Sequence, residues 1–265
     1  MSGFSVSNLS SGYGGKSIVD GMSFSLGKGR LMGLIGANGC GKTTLIKSIC
    51  GIHAHEGQCM LDGTRLEGLS AKPMARLCAY IPQRSGISID ISAIDVVLMG
   101  FNPRLGILQH PSAAMRENAR MALEQVGLGG REDMNYLQLS EGQKQLCVLA
   151  RALVSDCRLL LLDEPESALD FRLRYRMLEI IRSWVREDRY GLIALHDPVL
   201  ALNVCDELLI MKDGKAAGIL KPVSDSMEYM EDMLSQVYGR VCLLNCNDRN
   251  GKKHMVMLKE QEGER

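Results

Sequence analysis

The apolar run Arg30–Ile35 passes directly into Gly36-Ala37-Asn38-Gly39-Cys40-Gly41-Lys42-Thr43, and a helical pattern continues over Lys42–Cys50. The turn fits Gly-x4-Gly-Lys-[Ser/Thr] in full, and a strand before and a helix after are the setting this spacing requires. Its glycines let the backbone curl so that successive N–H groups face one point, at the positive end of the following helix. A phosphate is the matching ligand. Lys42 is then placed to reach β- and γ-phosphates, and the Thr43 hydroxyl to ligate Mg²⁺. Gly36, Asn38, Gly39, Cys40, Gly41 and Thr44 are the remaining candidate nucleotide contacts. A chain with this turn needs a strand that opens into a helix, the repeating unit of a mainly parallel α/β sheet.

Strands are predicted at Phe4–Leu9 and Ile18–Leu26, the second alternating at Ile18, Met22, Phe24 and Leu26. Short strands are expected at Gln58–Leu61 and Ala79–Pro82. The period then changes. Ser92–Met99, Ser112–Val126 and Glu141–Val154 read as helices, the middle one with Met115, Ala119, Ala122, Leu123 and Val126 on one face. Strands return at Arg158–Leu162 and Leu192–Leu195, with helices over Phe171–Arg186 and Val199–Val204 and a hairpin around Lys212-Asp213-Gly214. Beyond Pro222, a helix ending near Tyr238-Gly239 precedes a two-strand hairpin that turns at Asn247–Gly251. The expected organisation is one domain over 1–265. Its parts are a catalytic core from 1–83 and 158–221, an all-helical insert at 84–157, and a C-terminal extension at 222–265. The fold class is α/β, with a mainly parallel core sheet and an antiparallel N-terminal β subdomain.

At 265 residues and 46% hydrophobic, the chain can bury a substantial core. Basic and acidic residues number 31 each, so the formal charge is zero. That balance lacks the basic excess that nucleic-acid binding uses. No apolar run approaches the roughly 20 residues that span a bilayer. Met1-Ser2-Gly3-Phe4-Ser5 lacks the basic and apolar regions of a signal peptide. A cytosolic chain is expected, held at any membrane through a partner. Cysteines stand at 40, 50, 59, 78, 147, 157, 205, 242 and 246, with no Cys-x-x-Cys pair and no His at metal-ligand spacing. Most lie in apolar patterns, where a thiol packs as a small hydrophobe. Cys40, inside the phosphate loop, adds sensitivity to oxidation.

Leu159–Leu162 delivers Asp163-Glu164 at a strand's C-terminal tip, where ligands bind in open α/β sheets. Asp163 suits Mg²⁺, and Glu164 suits orienting or deprotonating an attacking water. The structural alternative is an Asp that caps the next helix. Leu139-Ser140-Glu141-Gly142-Gln143 opens a helix, so its hydroxyl, backbone N–H groups and dipole suit an anion. Taken in order, the phosphate loop, this pentapeptide and Asp163-Glu164 resemble the ATP-binding cassette (ABC) ATPases, from about Phe4 to about Lys221.

The resemblance implies the P-loop NTPase fold of the ABC ATPases, with ATP and Mg²⁺ as ligands and ATP hydrolysis coupled to mechanical work. It implies that His196 contacts the γ-phosphate, although a lone His at a strand end is more often structural. Gln83 resembles the family glutamine that touches Mg²⁺ and the attacking water. Tyr13 looks like the aromatic that stacks on adenine, where the alternative is a plain turn tyrosine. Cassettes of this family pair head to tail. Ser140, Gly142 and Gln143 would then close on the nucleotide of a second copy, and Ser167-Ala168-Leu169-Asp170 resembles the loop that crosses that interface. With one cassette per chain, a homodimer is the simplest active unit.

Two residues depart from the family pattern. Glu141 replaces the first glycine of Leu-Ser-Gly-Gly-Gln, and a carboxylate facing a γ-phosphate would repel it, so its side chain is expected to point outward. Glu166 stands where a Thr is more common. Asp95–Gly106 and Val237-Tyr238-Gly239-Arg240-Val241 look like segments of the iron–siderophore, haem and cobalamin importers, as do His196-Asp197-Pro198 and the residues after them. In that group the dimer works beneath an integral-membrane permease at the cytoplasmic face of the membrane, and an extracytoplasmic binding protein delivers the cargo. The rival readings are a zinc, manganese or other metal importer, and a soluble cassette ATPase. A soluble ribosome-acting member would carry two cassettes, and a DNA-repair member long coiled-coil insertions. A switch GTPase lacks support because Asn-Lys-x-Asp is absent.

Overall fold

Gly14 and Gly15, with φ of 56° and 81°, turn strand β1 (Phe4–Tyr13) back onto β2 (Lys16–Leu26). The structure is a computed structural model that describes residues 3–106 and 108–259. Met1, Ser2, Ile107 and the last six residues of the predicted C-terminal extension lie outside the described residues. The chain divides into two units, Met1–Glu67 with Leu192–Arg265 and Gly68–Gly191.

In the first unit, β1 and β2 run antiparallel from Phe4↔Leu26 to Tyr13↔Lys16. Strands β4 (Glu56–Leu61) and β5 (Thr64–Arg65) extend the sheet in the order β2-β1-β4-β5. The predicted alternation of β2 holds at Met22, Phe24 and Leu26, which are buried. It slips where β2 bulges at Gly21 (φ 61°), and Val19 rather than Ile18 enters the core.

The second sheet of this unit centres on β3 (Leu31–Gly36), buried along its whole length. Leu31, Met32, Leu34 and Ile35 have no exposed surface, and burial of such side chains contributes about 1.5–3 kcal/mol each. Strand β9 (Glu207–Lys212) lies parallel to β3, in register from Met32↔Glu207 to Gly36↔Met211. Antiparallel β10 (Lys215–Leu220) follows it, and the end of β8 (Tyr190–Ala194) flanks the other side of β3, giving β10-β9-β3-β8. Helices α1 (Lys42–Ile49), α7 (Pro198–Val204) and α8 (Met227–Tyr238) complete the unit with the hairpin β11 (Val241–Asn247) and β12 (Lys253–Lys259). Asn203 of α7 clamps that hairpin. Its Nδ2 donates to the Met255 carbonyl at 2.8 Å, and its Oδ1 accepts from the Met255 N–H at 2.9 Å.

The second unit begins with α2 (Ala71–Leu77), which sequence reading missed because Pro73 reads as a breaker. Pro73 sits in the first helical turn, where the missing N–H has no partner to lose. Strands β6 (Cys78–Ile81) and β7 (Leu159–Asp163) pair in parallel from Cys78↔Leu159 to Ile81↔Leu162. The start of β8 joins this unit through the Tyr190 N–H, which donates to the Arg158 carbonyl at 2.8 Å. Between β6 and β7, the elements are α3 (Ala93–Leu98), α4 (Ala113–Gln125), α5 (Glu141–Leu153) and two short 3₁₀ turns. The helical character predicted for this stretch is present. Ser92 and Ser112 cap α3 and α4, accepting from the N–H groups of Asp95 and Met115. The predicted face of α4 is buried at Ala119, Ala122, Leu123 and Val126. Helix α6 (Phe171–Trp184) follows β7, with Asp170 as its N-cap.

Candidate functional site

In the first unit, β3 ends in the glycine loop and α1 begins at Lys42. Gly36 must be glycine on packing grounds, since a Cβ there would lie 2.3 Å from the Met211 carbonyl oxygen. Gly39 and Gly41 hold φ of 80° and 105°, so the loop takes the left-handed turns that side chains resist. Gly41 is the N-cap of α1 and offers no side chain to cap it. Ala37, Asn38, Gly39 and Thr43 are exposed, whereas Thr44 is buried. Lys42 is only 5% exposed, and its Nζ donates to the Gly36 carbonyl at 2.9 Å. The ammonium is thereby folded back over the loop. Cys40 is buried, and burial pushes its thiol up while Lys42 pulls it down. A cleft of about 330 Å³ lies against the loop, lined also by Ile18, Asp213 and Val237.

Tyr13 is half exposed, and one face of its ring stacks on His53 with centroids 4.1 Å apart. His53 Nε2 also hydrogen-bonds the Gly12 carbonyl at 2.8 Å. His196 is exposed just beyond β8. Asp197 beside it caps α7, accepting from the N–H groups of Val199 and Leu200 at 2.9 and 3.2 Å.

In the second unit, β7 carries Asp163 and Glu164 out of its buried end, and β6 brings Gln83 alongside. Gln83 Nε2 donates to Glu164 Oε2 at 3.0 Å, so two residues singled out from sequence meet directly. Asp163 is 3% exposed and accepts from the Tyr80 hydroxyl at 3.4 Å. Glu164 stands at φ 47°, in the left-handed region. Non-glycine residues there cost of order 1–3 kcal/mol and gather at functional sites. Glu166 is buried, in keeping with a place beside the carboxylate tip.

Ser140 is the N-cap of α5. Its Oγ accepts from the Gln143 N–H at 3.3 Å, and Gln143 Oε1 accepts from the Ser140 N–H at 3.0 Å, a reciprocal capping box. The Ser140 hydroxyl keeps its own proton to donate. Gly142 is buried, and an added Cβ would press on Leu169 at 3.2 Å, so glycine here lets the Ser167–Asp170 loop approach. Glu141 is exposed and pairs with Lys144 at 2.7 Å, along its own helix. Its side chain faces solvent, as expected.

Three residues escaped the sequence reading. His53 backs Tyr13, Tyr80 backs Asp163, and Gln145 of α5, 3% exposed, donates from Nε2 to the Pro82 carbonyl at 3.0 Å. Tyr80 had a usable signal, being on the strand that ends at Gln83. Gln145 lay inside an apolar helix pattern and gave none.

Residues 19–167 match the model of the family described as ABC transporter. The hemin import ATP-binding protein HmuV of Bordetella pertussis is 37% identical over 242 residues, covering 88% of this chain and 90% of its own. The cobalamin import ATP-binding protein BtuD of Halobacterium salinarum is 34% identical over 215 residues, covering 79% of this chain and 53% of its own. Among solved structures, an inward-facing metal-chelate type ABC transporter aligns with a TM-score of 0.81 at 24% identity, over 98% of this chain and 99% of that one.

Proposed function

The chain belongs to the ABC transporter family, and from that premise we propose that it is the ATP-hydrolysing subunit of an importer for an iron chelate, haem or cobalamin-type cargo. The observation that carries the catalytic reading is the 3.0 Å hydrogen bond between Gln83 and Glu164, next to the buried Asp163. The cargo reading rests on the relatives, whose names specify hemin and cobalamin import.

In this reading the loop N–H groups from Gly36 to Thr43, with Thr44, bind the phosphates, and Lys42 stabilises charge on the transferred phosphoryl. Glu164 orients the attacking water and draws its proton, and Gln83 fixes the angle of that carboxylate. His196 contacts the γ-phosphate, and Tyr13 stacks on adenine with the face that His53 leaves open. The Thr43 hydroxyl, the Asp163 carboxylate and the Gln83 amide oxygen are hard oxygen donors of the kind Mg²⁺ takes, so they fit that ion. Bound Mg²⁺ supplies charge neutralisation at the phosphate oxygens. Ser140, Gly142 and Gln143 serve the nucleotide of a second copy in a head-to-tail homodimer. Among the described residues no helix is long and apolar enough to cross a membrane. In this reading the dimer works through an integral-membrane permease at the cytoplasmic face, with an extracytoplasmic binding protein supplying cargo and no nucleic acid involved.

The test is affinity capture of tagged Glu164→Gln, which keeps the shape of the site while removing the base, from detergent-solubilised membranes. Recovery of a polytopic permease is the expected result, and the same variant should be a dimer by light scattering at saturating Mg-ATP. Recovery of only ribosomal or other soluble proteins would overturn the transport reading and leave the ATPase standing.

A further inference from the structure

The β4–β5 hairpin of the first unit gathers His55, Cys59 and Glu67 with their ligand atoms all within 4.8 Å of one another. His55 Nε2 lies 3.2 Å from Glu67 Oε1 and 3.9 Å from Cys59 Sγ. Sequence spacing had shown no His at metal-ligand distance. The correction comes from the extended chain, in which residues four apart share a face. His55 stands one residue before β4, Cys59 lies on it, and the hairpin returns Glu67 to the same place.

We propose that His55, Cys59 and Glu67 form a binding site for a borderline divalent cation of Zn²⁺ type, separate from the nucleotide machinery. Zinc bonds of about 2.3 Å to sulfur and about 2.0–2.2 Å to nitrogen and oxygen set tetrahedral edges of roughly 3.4–3.6 Å. The His55–Glu67 and His55–Cys59 separations reach those edges with shifts of a few tenths of an ångström, and the Cys59–Glu67 edge closes from within 4.8 Å. Sulfur, nitrogen and oxygen donors together select Zn²⁺ over Mg²⁺ or Ca²⁺, which take oxygen alone. Charge matches as well. A thiolate and a carboxylate neutralise one divalent ion, and binding sends the thiol proton to solvent and moves the imidazole proton to Nδ1.

The surroundings are built for this. Cys59 is fully buried, and the His55 and Glu67 side chains are 8% and 18% exposed. Arg65 Nε donates to Glu67 Oε2 at 3.1 Å and the Cys59 N–H donates to Oε1, the outer-shell support that metal ligands require. A cleft of about 420 Å³, lined also by Ser10, Lys16 and Ala54, reaches the cluster at His55.

The nucleotide-free full-length chain is titrated with Co²⁺, then with Zn²⁺ against a chromophoric chelator. One equivalent of Co²⁺ should bind with a thiolate-to-cobalt charge-transfer band that Zn²⁺ abolishes. The band should vanish in Cys59→Ser, and Zn²⁺ affinity should fall at least about tenfold in Glu67→Gln, the scale on which even outer-shell losses act. Both changes are close to isosteric, and circular dichroism verifies their folds. Absence of stoichiometric binding overturns the proposal, as does cobalt bound without the thiolate band or a band that survives in Cys59→Ser.

Discussion

Replacing Gln145 with Leu removes the hydrogen bond from α5 to the Pro82 carbonyl while nearly preserving side-chain volume. The lost bond is worth about 1 kcal/mol net, and a carbonyl left dry costs about 1–3 kcal/mol. Pro82 is half-buried, so water can reach part of its carbonyl and the penalty stays near the low end. A loss of about 1–2 kcal/mol is expected, read as a lower urea midpoint at unchanged m-value. The larger effect is on turnover. Gln83 is the next residue and holds Glu164 at 3.0 Å, and a displacement near 1 Å in a positioned group costs up to about a hundredfold. Steady-state phosphate release should therefore show kcat lowered by about ten- to a hundredfold. KM for ATP should stay close to the wild-type value, because the phosphate loop belongs to other elements. A variant that loses stability yet keeps wild-type kcat would refute the reasoning, since the bond would then support the fold without positioning Gln83.

Lys42→Ala should abolish ATP hydrolysis, because the residual loop N–H groups bind phosphate without stabilising its transfer; wild-type phosphate release would sink that assignment. Glu141→Gly removes an exposed ion pair with Lys144, worth a few tenths of a kcal/mol. Its turnover should change only slightly. A large gain in rate would show instead that the carboxylate repels nucleotide.

What could be seen in the chain beforehand divides along the range of the interactions involved. The phosphate loop is local, and glycine conformation, strand burial and helix start all coincide within a dozen positions, as Gly36–Thr44 illustrate. The placing of Asp163 and Glu164 was legible because a run of four leucines that ends in two carboxylates marks the tip of a buried strand. The bulge at Gly21 was not legible, since one extra residue in β2 depends on the partner strand β1 and leaves no mark in alternation itself. Helix α2 was hidden by Pro73, whose effect depends on its position within a turn that sequence alone does not number. Gln145 and Tyr80 act through partners 63 and 83 residues away, a distance over which one sequence carries no pairing signal.

The Tyr13–His53 stack separates two kinds of selectivity that are easily taken as one. In the proposed reading a purine on Tyr13 meets a platform two rings thick, the second ring coming from the connection between α1 and β4. His53 belongs to that connection and bonds the Gly12 carbonyl, so the platform is built apart from the glycines of the phosphate loop. Substitutions at His53 would alter the base platform while keeping every phosphate contact. Nucleobase choice would then evolve independently of catalytic power.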